Sequence, residues 1–305
     1  MSIGFFIVSA LIIVFMSVFF NGKKIQKPSQ KSKQIKVVTS LYPLYFFTRE
    51  IGKKFIQINN LTPTGFEPHD YEPTIQDIQR IEESNLLIVN GFGLEPWVKK
   101  LQYNLSKNHI KLVSVAEQVI TPHSVEKEGK ISDPHIWLDP VLAQQEVAII
   151  AQTLIMIDPI HRLSYTTNSK ILKEKLNTLD QDFISGLQNC TQKYIITSHN
   201  TVGYVSARYQ LNPIAIQGII PDEEPSPHKL AQISTFAKKN NIHYIFFENL
   251  INRRFVDTVA KEIGAQTLLF NPIEGLTEVE QQNGADYFSV QRENLSNLRK
   301  GLDCQ

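Results

Sequence analysis

The chain has 305 residues, 42% of them hydrophobic and 20% charged. That length supports one large or two smaller domains with a buried core and excludes a small disulfide scaffold, while a mean hydropathy of −0.17 excludes a polytopic membrane protein. With 31 Lys and Arg against 30 Asp and Glu, the chain carries no electrostatic footprint for a nucleic-acid partner.

In chain order, the first signal is an uncharged apolar run from Ile3 to Phe20, short for a membrane-spanning helix and slightly long for a signal-peptide core. Residues 1–22 therefore read as a signal or membrane-anchor segment, and the Lys-rich stretch 23–34 as a flexible linker. The lysines follow the run instead of preceding it, and no small-x-small cleavage site closes it. An uncleaved anchor, a cleaved signal and a retained cytoplasmic domain all stay open, with an extracytoplasmic location expected and membrane contact through residues 3–20 if they are kept. No Cys precedes Cys190, so lipidation of an amino-terminal cysteine is not expected. In an exported chain the two cysteines, Cys190 and Cys304, are expected to form one disulfide.

Short β-branched runs then alternate with longer amphipathic stretches. The spacing predicts strands at 36–41, 56–62, 85–90, 111–115, 194–198, 213–217, 244–247 and 267–270. Helices are predicted at 74–84, 96–104, 229–240 and 253–263, the last stopped by Gly264. Such alternation implies an α/β fold with parallel sheets. The strands divide into two (β/α)4-like lobes, over 35–158 and 189–305. Between them a strand-free block predicts a helix at 141–157, a break at Asp158–Pro159 and a helix at 161–187. The second would run about 40 Å, so 159–188 reads as one long, rigid connecting helix with an interlobe cleft beside it.

Of eight histidines, three fall in loops suited to ligand binding. His69 lies in PTGFEPHDYEPT, a Pro-rich loop directly after the second strand, and His135 in DPHIWLDP, bracketed by prolines. His199 ends the first strand of the second lobe in TSHN. Ligands of open parallel sheets gather beyond the carboxyl ends of strands. Glu274 in NPIEGLT, read as the loop after the last strand, would complete a set of three imidazoles and one carboxylate, which suits Zn²⁺. Long spacings are not diagnostic, and surface or hydrogen-bonded histidines remain the alternative. His109, His161, His228 and His243 read as structural or solvated, and His123, in a loop with Glu126 and Glu128, also ranks lower, with an auxiliary metal contact as its minor alternative. Asp222, Glu223 and Glu224 read as a solvated turn before a helix capped by Ser226, and Glu248 as a cleft residue or a partner for a ligand histidine. No G-x-S-x-G, P-loop, G-x-G-x-x-G after a strand or H-E-x-x-H is present, so no enzyme activity is expected.

The segments GFEPHDYEPT, DPHIWLDP, TSHNTVGYVSARYQL, GIIPDEEPSP and NPIEGLTEVEQQNGADYFSVQRENLSNLRKGL occur in an order that resembles the metal-binding solute-binding proteins of zinc and manganese ABC importers, the ZnuA-type family. The resemblance spans residues 35–304. It implies two lobes joined by a long helix, one metal bound in the cleft by His69, His135, His199 and Glu274, and a membrane permease with a cytoplasmic ATPase as partner. It also implies Zn²⁺ as the transported ligand, because His199 stands where manganese members carry Glu; Mn²⁺ or Fe²⁺ uptake is the alternative. A surface adhesin is a more distant reading, and a monomer is expected. The stretch before His135 is short and holds only His123, a departure from the long His-rich loop of many zinc-uptake members.

Overall fold

A computed structural model describes residues 34–120, 133–221 and 224–305. The amino-terminal segment, nearly all of the linker, His123 with Glu126 and Glu128, and the Asp222–Glu223 pair lie outside the described residues. The first half runs β1 (Ile35–Thr39), α1 (Tyr42–Gly52), β2 (Ile56–Asn60), α2 (Ile75–Glu82), β3 (Leu86–Val89), α3 (Val98–Lys107), β4 (Lys111–Ser114) and α4 (Ala116–Val119). Then come α5 (Pro140–Ile157) and α6 (Arg162–Leu187). The second half runs β5 (Tyr194–Thr197), α7 (Gly203–Tyr209), β6 (Asn212–Ala215), α8 (Pro227–Lys239), β7 (Tyr244–Phe247), α9 (Arg254–Ile263), β8 (Gln266–Leu269), α10 (Glu278–Gln282) and α11 (Tyr287–Gly301).

The strands form two four-stranded parallel sheets, ordered β2-β1-β3-β4 and β6-β5-β7-β8. Their residues alternate between two cores, as a period of two demands. Leu86 and Ile88 of β3 face the principal core, while Leu87 and Val89 pack with Trp97 and Ile110 on the other side of the first sheet. In the second sheet Ile195 and Phe246 face the principal core, and Ile196 and Ile245 a third cluster under α8 and α9. A parallel sheet covered on both faces needs near-continuous apolar strands, which the LLIV and YIFF runs supply.

The principal core is shared by both halves because α6 runs through it. Tyr165, Ser169, Leu172, Leu176, Leu179, Phe183 and Leu187 recur at three- and four-residue steps along its buried face, which packs against α1, α5 and α11. Truncating one of these, Leu176→Ala for instance, removes about 2–5 kcal/mol. Beyond α6, Cys190 and Cys304 form the expected disulfide, holding the carboxy-terminal segment against the start of the second half.

Several boundaries differ from the sequence-based expectations. β2 ends at Asn60, not Thr62, because the chain bends away after Leu61 and Thr62 donate to Thr39 and Ser40 carbonyls (2.8 and 3.1 Å). A 3-10 turn over Pro159–His161 precedes α6. Five helices lack a predicted counterpart, α1, α4, α7, α10 and α11; the aromatic run Tyr42, Phe46 and Phe47 sits on α1, whose Phe46 stacks on Tyr287 of α11 while Phe47 meets the same ring edge-on. Gly264 does stop α9, with φ of 71°, and Ser226 caps α8 by accepting from Lys229 N–H.

Candidate metal centre

The loops after β2, β5 and β8 converge with the segment leading into α5. In the first loop, Glu67 caps a 3-10 turn over Pro68–Asp70, its Oε1 accepting the His69 N–H at 3.2 Å. Asp133-Pro134-His135 repeats the pattern: Asp133 Oδ1 accepts the His135 N–H at 3.0 Å and also lies 2.7 Å from its Nδ1. A carboxylate only accepts, so that Nδ1 carries the proton and Nε2 turns toward the cleft. Around this loop, Asn90 Nδ2 donates to Pro134 O (2.9 Å) and Tyr204 O–H to Asp133 O (3.0 Å). A Cβ at Gly203 would sit 2.5 Å from Asp133 Oδ2 and would push that carboxylate aside.

His199 is held from a neighbouring strand. Glu248, just past β7, accepts the His199 N–H through Oε1 at 3.1 Å, and its Oε2 lies 2.6 Å from His199 Nδ1. Glu274 stands on a loop braced by α11. Asn294 accepts the Asn271 N–H (2.8 Å) and donates to its carbonyl (2.7 Å), and Asn271 Oδ1 accepts the Ile273 N–H (2.7 Å). This bracing keeps Ile273 at φ of 60°, a left-handed conformation that costs a side-chain-bearing residue roughly 1–2 kcal/mol. Trp137 ties the two loops together, its indole N–H donating to Pro272 O at 2.7 Å while Tyr287 O–H donates to the Trp137 carbonyl at 2.5 Å.

The donor atoms of His69, His135, His199 and Glu274 all lie within 4.8 Å of one another. Glu274 Oε1 is 3.4, 3.0 and 3.7 Å from Nε2 of His69, His135 and His199, and the His69 and His135 Nε2 atoms are 3.4 Å apart. Ligands of a tetrahedral zinc at about 2.0–2.1 Å stand roughly 3.3 Å apart, so the separations from Glu274 and between His69 and His135 match such an ion to within about 0.4 Å. The side chains of His135, His199 and Glu274 are fully buried and that of His69 is 4% exposed.

Electrostatics in the metal-free chain favour protons where a cation would sit. Burial alone would hold the His135 imidazole down, but Asp133 and Glu274, one at each ring nitrogen, raise it above its usual value. Burial is likewise outweighed at His199, where Glu248 and Glu274 raise the imidazole well above the ordinary range. Burial would raise Glu274, but its three imidazole neighbours hold the carboxyl well below the usual range. Glu67 is pushed up to about 9 by burial and by the Glu274 charge. It also borders a cavity of 360 Å³ lined by Asp70, Gln217 and Arg254 among others.

All four sequence-derived candidates thus come together, and Glu248 contacts His199 as expected. Asp133 and Glu67 were not anticipated, although the repeated acid-Pro-His pattern was a signal for both. Elsewhere, His161 pairs with Asp158 (2.6 Å), and Glu224 pairs with Arg254 (2.6 Å).

Comparison with known proteins finds zinc-binding relatives. The chain is 35% identical over 312 residues to the high-affinity zinc uptake system protein ZnuA of Bacillus subtilis, covering 98% of this chain and 97% of that one. It is 33% identical to the zinc-binding protein AdcA of Streptococcus pyogenes, spanning 61% of that relative's length and 96% of its own. Among solved structures, the Zn(II)-bound ZnuA-like domain of Streptococcus pneumoniae AdcA superposes with a TM-score of 0.77 at 33% identity, covering 89% of this chain and all of that domain. The laminin-binding protein of Streptococcus agalactiae, described as having adhesin and metal-transporting activity, gives 0.79 at 29% identity, covering 88% of this chain and all of that one. The relatives are zinc-binding and zinc-uptake proteins, not enzymes. The family profile for zinc-uptake complex component A, periplasmic, matches residues 37–301, and the chain belongs to this ZnuA family.

Proposed function

We propose that the chain captures Zn²⁺ outside the cytoplasmic membrane through His69, His135, His199 and Glu274 and delivers it to the permease of an ABC importer driven by a cytoplasmic ATPase. The observation that carries this reading is the convergence of three Nε2 atoms and Glu274 Oε1 at tetrahedral separations. A nitrogen-rich donor set favours Zn²⁺ over Mn²⁺. Four protein donors also leave a tetrahedral ion no open position for an activated water, which suits carrying the metal and not using it.

On capture, Zn²⁺ replaces the Nε2 protons of imidazoles that Asp133 and Glu248 hold by Nδ1, so protons and metal compete for the same lone pairs. Residues 35–158 and 189–305 act as two lobes and 159–188 as the connection between them. Because α6 packs along elements of both halves, capture and release work by local movement of the loops carrying His69 and His135. Ile3–Phe20 directs the chain to the outer face of the membrane or anchors it there, and the carrier works as a monomer.

Titration of the chelator-stripped chain with Zn²⁺ and Mn²⁺, beside His199→Ala, tests the site. One tight Zn²⁺ per chain, lost in the variant, supports it; binding untouched by the substitution sinks it. Rescue of a deletion strain by zinc or by manganese separates the two uptake readings.

A further inference from the structure

The end of the molecule opposite the metal centre carries an exposed apolar corner. β1 and β2 run toward the centre, and α5 leaves it for about 27 Å. At its far end, in the turn into α6, Met156, Ile160 and Leu163 are 66%, 80% and 80% exposed. The folded part begins beside this corner. Gln34 Nε2 donates to Lys54 O (2.6 Å), and Phe55 stacks on His161 with ring centroids 4.2 Å apart.

The corner is also basic. Lys53, Lys54 and Arg162 are exposed around it. Its two acidic neighbours are outnumbered by Arg49, Lys53, Lys54 and Arg162, with Asp158 Oδ2 bonded by His161 and Tyr165 and Glu50 paired with Lys53 and Arg49. Apolar side chains ringed by cations suit the boundary between headgroups and acyl chains of an anionic bilayer. The chain outside the folded part supplies the reason for choosing a membrane over a protein partner. It joins the fold at Gln34, is rich in Lys from 23 to 33, and leads back to the apolar run at 3–20.

We propose that this corner rests on the outer surface of an anionic lipid bilayer, with Met156, Ile160 and Leu163 in the headgroup boundary and Lys53, Lys54 and Arg162 at the phosphates. The proposal rests on the anchored form of the reading above. It gives the carrier a resting orientation in which the metal centre faces away from the membrane, open to capture. Delivery to a permease in the same membrane then requires the corner to lift off. The stretch 21–34, reaching about 45 Å when extended, gives the fold room to turn.

The test uses the full chain reconstituted through its apolar segment into vesicles of phosphatidylcholine with phosphatidylglycerol and a brominated lipid. Trp97 and Trp137 are buried, so a new tryptophan reports its own depth. Leu163→Trp should shift to the blue and lose about half of its emission to the bromines, while Val279→Trp, five residues past Glu274 and 65% exposed, should lose less than about a tenth. Combining Lys53→Gln, Lys54→Gln and Arg162→Gln, or omitting phosphatidylglycerol, should reduce the Leu163→Trp quenching. Equal quenching at both positions, or none at either, overturns the proposal. Zn²⁺ titration of the same vesicles reads the carrier function separately, and the intact mass of the chain from cells reads whether residues 1–22 are kept.

Discussion

In the first sheet the crevice between β1 and β3 is filled by Glu95, which accepts from Ser40 Oγ, from Asn90 N–H and from Gly91 N–H at 2.5–2.9 Å. In the second sheet the equivalent crevice between β5 and β7 holds His199 and Glu248. Strand order reverses at both places, where ligands of open sheets collect. The first half uses its crevice to brace a loop, since Asn90 holds Pro134, and sets its histidines by acid-Pro-His turns that are local in sequence. The second half sets His199 from another strand and Glu274 from the terminal helix. Equal topologies therefore divide the work: one positions its ligands by short-range turn chemistry, the other by long-range packing.

Glu274→Ala should break the comparison altogether, because this carboxylate lies against all three histidines. Competition against a chromophoric chelator is expected to show zinc affinity weakened by about 1,000-fold or more, beyond what loss of an outer partner costs. A loss confined to tenfold would mean that Glu274 is not a ligand.

Next in size is the disulfide, which closes a separation of 114 residues in the second half only. Cys190→Ser with Cys304→Ser should lower denaturant stability by about 3–5 kcal/mol in the chain-entropy account. Zinc stoichiometry should be kept, since neither Cys is among the metal donors.

The two histidine supports can be weighed directly. Asp133→Asn and Glu248→Gln should each weaken zinc binding by about 10–100-fold. Glu248→Gln is expected to cost more, because Glu248 also holds the His199 backbone N–H and is nearly fully buried, while Asp133 is 17% exposed. The reverse order, read by the same titration, would mean that the local turn dominates.

The smallest effect is the pH dependence of stability. His135 and His199 are raised above the ordinary 6.5 in the metal-free chain, so their contribution is complete below that value and is lost as pH rises through their folded values. Glu274 is held below the ordinary 4.5, so its contribution is present above that value and is lost as pH falls through its depressed value. His135, His199 and Glu274 are therefore all charged in the metal-free chain between about 4.5 and 6.5. Zinc needs the neutral imidazoles, so the rise in Tm on adding Zn²⁺ should be a few degrees larger at about pH 8 than at about pH 5.5. A pH-independent rise, read by thermal denaturation, would place the metal elsewhere.

Much of this was legible in the chain. The short β-branched runs placed the strands to within two residues at each end, because a doubly covered parallel strand needs apolar residues at nearly every position. The candidate donors were legible as well, since His69, His135 and Glu274 sit in loops whose prolines mark them off from helix and strand. Less visible was α1, whose aromatic run Tyr42–Phe47 lacks a polar face until Arg49 and Glu50. Its helical state is set by packing against α6 and α11, and propensity is a weak guide where tertiary contacts decide.

By itself, then, the amino-acid sequence determined the α/β alternation, the long helix, the pair of cysteines and the identity of the four candidate donors, all of which depend on residue type and short-range spacing. Tertiary structure alone decided which histidine Glu248 would stand beside, that Asn294 on α11 would hold the strained turn at Ile273, and that Tyr287 and Trp137 would tie the His135 loop to the Glu274 loop. Those contacts join residues 23 to 150 positions apart. No local pattern encodes them, because they exist only once two sheets share one core and their loops are brought to the same cleft.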